Sequence, residues 1–455
     1  ETARQVPLSS MQQRVLFQQQ LNPESTVYNL SAGVRITGNL DVAVLKRAVA
    51  EVVRHHAVLH TVYEADGQHE RPGLQPEFTQ AIATSEADLF ARARELARRP
   101  FDLTKEAPVR FLLVEHDADD HVLVVVIHHV AADDASWAVL FPELFDVYRR
   151  LGVDDAAISS STLRYSDYAR WENQALSGER RAELVRQWRS VLEPTPPRLA
   201  LPLDHARPDD GDADLDDEGG VVTSWVTADL RDRLHELGRE ESATAFMTEL
   251  AVFAVLLFRH TGQRDLAIGI PALLRDRWET SQQIGNFQNT LVIRLQIDPD
   301  MSFRQLLRGV RRQCLNAYAN QDLPFDQLVA ELRPPRHTGR TPWIDVMFLE
   351  QKRAMAGVSC PGLEFEEIVL HNGTSQFDLT LAVCQVDGGI ELTALHRTAV
   401  LDSKTVAGWL ERYRHLITSV TADPEAALGI LALSPPLART PVPPSPEATT
   451  LTQRL

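Results

Sequence analysis

One stretch of the chain is apolar without a break: Val122-Leu-Val-Val-Val-Ile127, flanked by His121 on one side and His128-His129 on the other. Six such residues, all Val or Ile except one Leu, predict a strand buried on both faces. Val109 to Glu115 predicts its hairpin partner across the acidic turn Asp117 to Asp120, which puts the histidine pair at the end of a central strand. Around this core the pattern alternates between periods. The serines after Pro7 cap a helix that stops near Asn22-Pro23, Tyr28 to Ile36 alternates as a strand, and Val42 to His56 carries apolar residues at helical spacing (Val44, Leu45, Ala48, Val49, Val52). Glu86 to Arg98, the segment from Ser136 with a kink at Pro142, the segment from Tyr165 and Glu179 to Leu192 read as helices.

The second half repeats the alternation. Val221 to Thr227 predicts a strand, Asp229 to Gly238 a helix, and Thr244 to His260 a buried helix closed by Gly262. Leu266 to Ile270 is a strand, Ile284 to Arg294 a glycine-led loop with a strand, and Phe303 to Ala319 a helix that Asn320 to Asp326 ends. Strands near Asp345 to Leu349, Gln376 to Gln385 and Ile390 to His396 follow, with a last helix over Leu401 to Val420. The fold class predicted is α/β, in two lobes of similar build. They are expected over residues 1–175 and 221–435, joined by a crossing over 176–220, with a linker over 436–455. Eight acidic residues crowd Asp204 to Glu218 in that crossing, which reads as a solvated loop.

Composition narrows the function. A length of 455 residues, 44% hydrophobic and 24% charged, fits a globular chain of two or three domains. The net charge of -17 argues against binding nucleic acid or an anionic membrane, and no run of about 18 apolar residues predicts a membrane span. Cys314, Cys360 and Cys384 are too few for a disulfide framework or a zinc site, so a reducing, cytoplasmic setting is expected. The absence of an initiator Met and the Pro-rich tail from Pro441 suggest one domain of a longer polypeptide. As chemistry, His128 and His129 beside Asp133 and Asp134 offer a general base. His56 and His60, four apart, could share a metal on a helix face, but no Glu lies between them and no third ligand suggests itself, so no metal is assigned.

The segments fall into a known order. Ser9-x-x-Gln12-x-Arg14 with Tyr28-Asn29, His55 to Thr61, His128-His129-x-x-x-Asp133, Tyr165 to Trp171, Ile284 to Thr290, Gln321 to Phe325 and Arg336 to Pro342 together resemble the condensation-domain superfamily of nonribosomal peptide synthetases. That superfamily shares its fold with chloramphenicol acetyltransferase. The resemblance implies two acetyltransferase-like lobes in a V-shaped pseudo-dimer around a central tunnel. There a donor thioester and an acceptor amine would meet on the phosphopantetheine arms of peptidyl carrier proteins, with no cofactor bound by the domain itself and adjacent synthetase domains as partners. It implies that His129 orients or deprotonates the amine, that Asp133 is a structural anion paired with an Arg, and that Asn289, Thr290 and the loop at Gly285 line the tunnel.

Two departures stand out. Asp134 replaces the family's Gly, and His60 stands where the family has an Arg that could pair with Asp133, so that either His60 is protonated, or Arg54, Arg294 or another cation substitutes, or Asp133 has moved. An Asp at a helix start also caps free N–H groups, a role worth about 1 kcal/mol. A double acid after the histidines resembles the X domains of glycopeptide-antibiotic assembly lines, non-catalytic platforms that recruit haem-thiolate cytochrome oxygenases to carrier-bound peptide. The sequence reading leans to such a platform, with an active condensation domain as the alternative. A stand-alone acyltransferase and an epimerisation domain, which shares the Ser136-Trp137 sequel, are weaker readings.

Overall fold

The computed structural model describes residues 6–64, 67–152, 164–207, 217–275, 278–335 and 340–433. The Arg336 end of the last motif, most of the acidic run and the 436–455 tail lie outside the described residues.

The first half contributes helices α1 (Ser10–Leu21), α2 (Val42–His55), α3 (Glu86–Ala97), α4 (Trp137–Leu151), α5 (Tyr165–Ala175) and α6 (Gly178–Leu192). Its strands are β1 (Asn29–Gly38), β2 (Thr61–Glu64), β3 (Gly67–Glu70), β4 (Glu77–Ile82), β5 (Val109–Asp117) and β6 (Asp120–His128). The second half contributes α7 (Ala228–Glu240), α8 (Ala245–Thr261), α9 (Trp278–Ser281), α10 (Phe303–Ala319), α11 (Phe325–Leu332) and α12 (Ser403–Ala422). Its strands are β7 (Gly219–Thr227), β8 (Asp265–Leu273), β9 (Gln288–Gln296), β10 (Val346–Gln351), β11 (Leu363–Ile368), β12 (Leu379–Val386) and β13 (Gly389–Arg397).

The strands form a five-stranded sheet in the order β11-β1-β6-β5-β4, a six-stranded sheet in the order β7-β13-β12-β10-β8-β9, and the small β2-β3 ribbon. β6 is the central strand of its sheet, and Val122 to Ile127 are completely buried, which is why their run is continuous rather than alternating. In the second half α8 plays the matching part: it is buried and mostly apolar, with Leu250 to Val255 inaccessible to water. Thr244 caps its start, and Gly262 ends it in the left-handed conformation at φ 68°, where glycine carries no steric cost.

Two hydrophobic cores result, and each half reaches into the other. β11 leaves the second half to pair antiparallel with β1, Gly33 opposite Ile368. Ile284 and Phe287, from the loop before β9, pack into the first core together with Ala354, Cys360 and Leu363. These incursions bring a second-half loop against the histidine-bearing loop. Neither β11 nor α11 follows from periodicity: β11 reads Leu-Glu-Phe-Glu-Glu-Ile, an acidic edge strand, and α11 is eight residues long, with Phe325 and Leu328 buried. α4 runs through Pro142 as one helix. Among the described residues, no single helix is long and apolar enough to cross a membrane. All three cysteines are free and buried.

Candidate functional site

β6 ends at His128, and the chain turns through Val130 to Ala132 into a short 3-10 turn, Asp134–Ser136, that leads into α4. Apolar packing fixes the strand, so both imidazoles leave it at a defined point. His128 turns inward. Its Nδ1 accepts the Val130 N–H at 3.2 Å, which leaves Nε2–H to donate to Gln19 Oε1 at 3.2 Å. Burial, with the nearby His129 and Arg110 charges, pushes its pKa down to about 3, so it stays neutral and both its nitrogens are engaged by the fold.

His129 turns the other way. Its Nδ1 meets the Ala132 carbonyl at 2.6 Å, an arrangement in which Nδ1–H donates and the lone pair sits on Nε2. Burial lowers its pKa, against opposing effects of the Ala132 hydrogen bond and the Asp133 charge. A neutral imidazole with a free lone pair is the form that can accept a proton. The ring lines a cavity of about 300 Å³ between the two sheets, whose wall also includes Arg14, Tyr28, Asp134, Thr290, Glu350 and His371.

Asp133 holds this loop. Its carboxylate is inaccessible to water, yet all of its acceptor capacity is used. Oδ1 accepts from Ser136 N at 3.0 Å, Ser136 Oγ at 2.8 Å and Arg275 Nη2 at 2.7 Å, while Oδ2 accepts from Phe287 N at 3.0 Å and Arg275 Nε at 3.2 Å. Arg275 donates in turn to the carbonyls of Thr280, Gln283 and Gly285, and its guanidinium lies 4.6 Å from the Phe287 ring centroid. The buried anion therefore has its cation, Arg275, which is a substitute other than the three candidates that the sequence names. Arg54 pairs with Glu51 on the surface, and Arg294 forks onto Asp265 at 2.9 and 2.6 Å. His60 is buried with Nδ1 lacking a hydrogen-bond partner, and burial lowers its pKa, so it carries no charge to offer. Arg275 lies two residues beyond β8 and 142 positions from Asp133, a separation with no local signature.

The expected tunnel residues separate. Thr290 lines the cavity, where Arg14 Nη1 reaches its Oγ1 at 3.4 Å. Asn289 does not line it. Its amide donates to the carbonyls of Gln321 and Leu323, both at 2.8 Å, and its Oδ1 accepts from Thr290 N and Phe325 N, so it ties β9 to the turn before α11. Gly285 is also outside the cavity wall, and a Cβ there would fall 2.2 Å from Tyr165 Cδ2. Glycine is needed at that position so that the loop can lie flat on Tyr165. Tyr165 answers by donating to the Asn286 carbonyl at 2.6 Å.

Asn286 and Ser136 are site residues that sequence reasoning passes over. The Asn286 amide donates to the His129 carbonyl at 2.7 Å, fixing the catalytic candidate from behind, and Ser136 closes a capping box with Asp133. The cap of the turn is thus Asp133, and Asp134 is free of that duty. Asp134 is exposed and is one of the residues that line the cavity. Desolvation by the surrounding protein, then the negative charges of Asp133 and Glu367, push its pKa up to about 6.

Comparison with known proteins supplies the setting. The family model of the condensation domain matches residues 2–439. A component of the linear gramicidin synthase of Brevibacillus parabrevis is 34% identical over 441 residues, which cover 94% of this chain and 9% of the synthase component. Phosphinothricin tripeptide synthetase PhsC of Streptomyces viridochromogenes is 34% identical over 438 residues, covering 94% of this chain and 40% of the synthetase. The chain thus spans less than half the length of these relatives. Among solved structures, the X-domain from teicoplanin biosynthesis superposes with a TM-score of 0.85 at 27% identity, covering 95% of this chain and 98% of that one. The complex of the X-domain and OxyB from the same biosynthesis gives 0.84 at 28%, over 95% and 97%. The first condensation domain of the calcium-dependent antibiotic synthetase, with a substrate analogue, gives 0.80 at 19% identity over 94% and 99%, a likeness of fold. The shared architecture is the two-lobed, chloramphenicol-acetyltransferase-like α/β fold.

Proposed function

The chain belongs to the condensation-domain family of nonribosomal peptide synthetases, and from that premise we propose that it forms a peptide bond between a carrier-bound acyl or peptidyl thioester and a carrier-bound amine. The observation that carries this reading is the buried Asp133–Arg275 pair, which holds the loop that presents a neutral His129 to an open cavity. The case for a platform rests in part on an anion stripped of its cation, and Arg275 removes that ground. In the proposed step the amine nitrogen bonds to the thioester carbonyl carbon, the carbon–sulfur bond breaks, and the phosphopantetheine sulfur leaves as a thiol. His129 Nε2 takes the amine proton and returns it to the sulfur. A thioester needs little activation, so holding the two groups together with one proton acceptor does most of the work. Under this reading the arms of peptidyl carrier proteins enter the cavity, the neighbouring synthetase domains supply them, and the domain works in the cytoplasm.

A second reading is favoured by one observation, the carboxylate of Asp134 on the cavity wall beside His129. It goes with the likeness to the teicoplanin X-domain, which is solved in complex with OxyB. Under it the chain is an idle platform that recruits a cytochrome oxygenase to carrier-bound peptide. One paired experiment separates the two. The chain is mixed with a peptidyl-loaded donor carrier and an aminoacyl-loaded acceptor carrier, amide is followed by mass spectrometry, and oxygenase binding is measured by calorimetry. Condensation predicts product that falls about 10²- to 10⁴-fold with His129→Ala. No product, with oxygenase binding that ignores the substitution, would establish the platform instead.

A further inference from the structure

Outside the cavity, α2 and α4 pack against each other, and a second pair of adjacent histidines sits where α2 ends. In a continuous helix neighbouring side chains diverge by about 100°. Here the helix stops at His55, and His56 takes an extended conformation (φ −97°, ψ 97°), so both rings turn toward the same place. They meet edge to face, with centroids 4.8 Å apart and planes at 88°. That place is Glu143, in the second turn of α4: Oε2 lies 2.7 Å from His56 Nε2, and Oε1 lies 3.8 Å from His55 Nε2. Glu143 Oε1 is buried without a hydrogen-bond partner. An unsatisfied buried carboxylate oxygen facing an imidazole nitrogen is a costly arrangement unless something sits between them.

We propose that His55, His56 and Glu143 form a binding site for one zinc-class divalent cation that ties the end of α2 to α4. Their donor atoms all lie within 4.8 Å of one another. Tetrahedral zinc, with bonds near 2.0–2.1 Å, needs ligand atoms roughly 3.3 Å apart, so rotamer adjustments of a fraction of an ångström to about 1.5 Å close the set. Two imidazoles and a carboxylate select zinc, cobalt or nickel over magnesium or calcium, which prefer all-oxygen ligands. His56 is buried, while the side chains of His55 and Glu143 retain 11% and 21% of their exposure, so a cation can enter and keep water as its fourth ligand. His60 takes no part: the 3-10 turn Ala57–His60 that follows His56 removes the helical i, i+4 relation that would have aligned the two. The site lies apart from the cavity wall, so it stands under either reading of the tunnel.

The test is a zinc titration of the whole 455-residue chain, freed of metal with a chelator, against a competing chromophoric chelator. The expected result is one saturable equivalent, cobalt substitution that gives the visible bands of a tetrahedral nitrogen–oxygen site, and a loss of affinity of at least about tenfold in both His55→Ala and Glu143→Gln. His205→Ala, which removes an exposed imidazole paired with Asp402, leaves the equivalent intact. Binding that does not saturate, or that neither substitution weakens, would overturn the site and leave a plain histidine–carboxylate ion pair. Should a variant fail to fold, the cobalt spectrum of the unaltered chain decides: tetrahedral bands saturating at one equivalent support the site, and octahedral or absent bands overturn it.

Discussion

The chain holds two adjacent histidine pairs, and they are built on opposite plans. At the end of β6 the nearby carboxylate, Asp133, is bound by Arg275 and Ser136 rather than by an imidazole, and it shapes the loop that carries His129. At the end of α2 the nearby carboxylate, Glu143, faces both imidazoles directly. In the first pair His128 is locked by Val130 and Gln19, which leaves His129 as a single base on an open cavity. In the second pair both Nε2 atoms turn to one acid. The same dipeptide becomes a base or a ligand set according to what engages the carboxylate first.

The comparison breaks most sharply at Arg275. Arg275→Ala would leave Asp133 charged, buried and unpaired, and removing one partner of such a pair costs about 3–5 kcal/mol. Urea unfolding should show that loss, and an unchanged midpoint would mean that the Ser136 and Phe287 donors suffice alone. The parallel change at the other pair is Glu143→Gln in metal-free protein. His56 is buried there, but His55 and Glu143 reach water at their edges and the pair holds no permanent cation, so the same measurement should show a smaller loss, about 1 kcal/mol. Equal losses at the two sites would erase the distinction.

Much of the first plan is legible in the residues alone. The Val122–Ile127 run locates β6, and the spacing from His128 to Asp133 locates the loop. Arg275 is not legible, because it is one of 46 lysines and arginines and joins Asp133 across the interface of the two halves. Asn289 is misplaced by the sequence reading for a reason the sequence does contain. Side chains alternate along a strand, so if Thr290 of β9 faces the cavity, Gln288 shares that face and Asn289 points away. Gln288 and Thr290 do line the cavity, and Asn289 holds the turn behind it. The second plan depends on where α2 stops, and a helix boundary is the least certain feature of a sequence reading. A helix continued from His55 to His60 suggests the pair His56–His60, and the observed break at His56 makes it His55–His56.

The finest test concerns Asp134, which is neither engaged like Asp133 nor paired like Glu143. Its pKa is about 6 in the folded chain, against roughly 3.9 when unfolded. Between those values the folded state holds a proton that the unfolded state has released, so this group makes stability fall as pH rises from about 4 to 6. Above pH 6 the charged carboxylate carries the full cost. Two pH units would correspond to roughly 3 kcal/mol, but the side chain keeps accessible surface in the cavity and water there screens the charge, so about 1 kcal/mol or less is expected. Asp134→Asn should therefore stabilise the chain slightly at pH 7.5 and not at pH 4, as read by thermal unfolding at both values. Amide formation by the variant adds the functional half: if the carboxylate hinders an acceptor beside His129, product rises several-fold, and if the domain is idle for other reasons, stability shifts with pH while product stays absent. A gain in stability equal at both pH values would mean that the acid is already ionised and hydrated, and that its place on the cavity wall has no electrostatic cost for the fold.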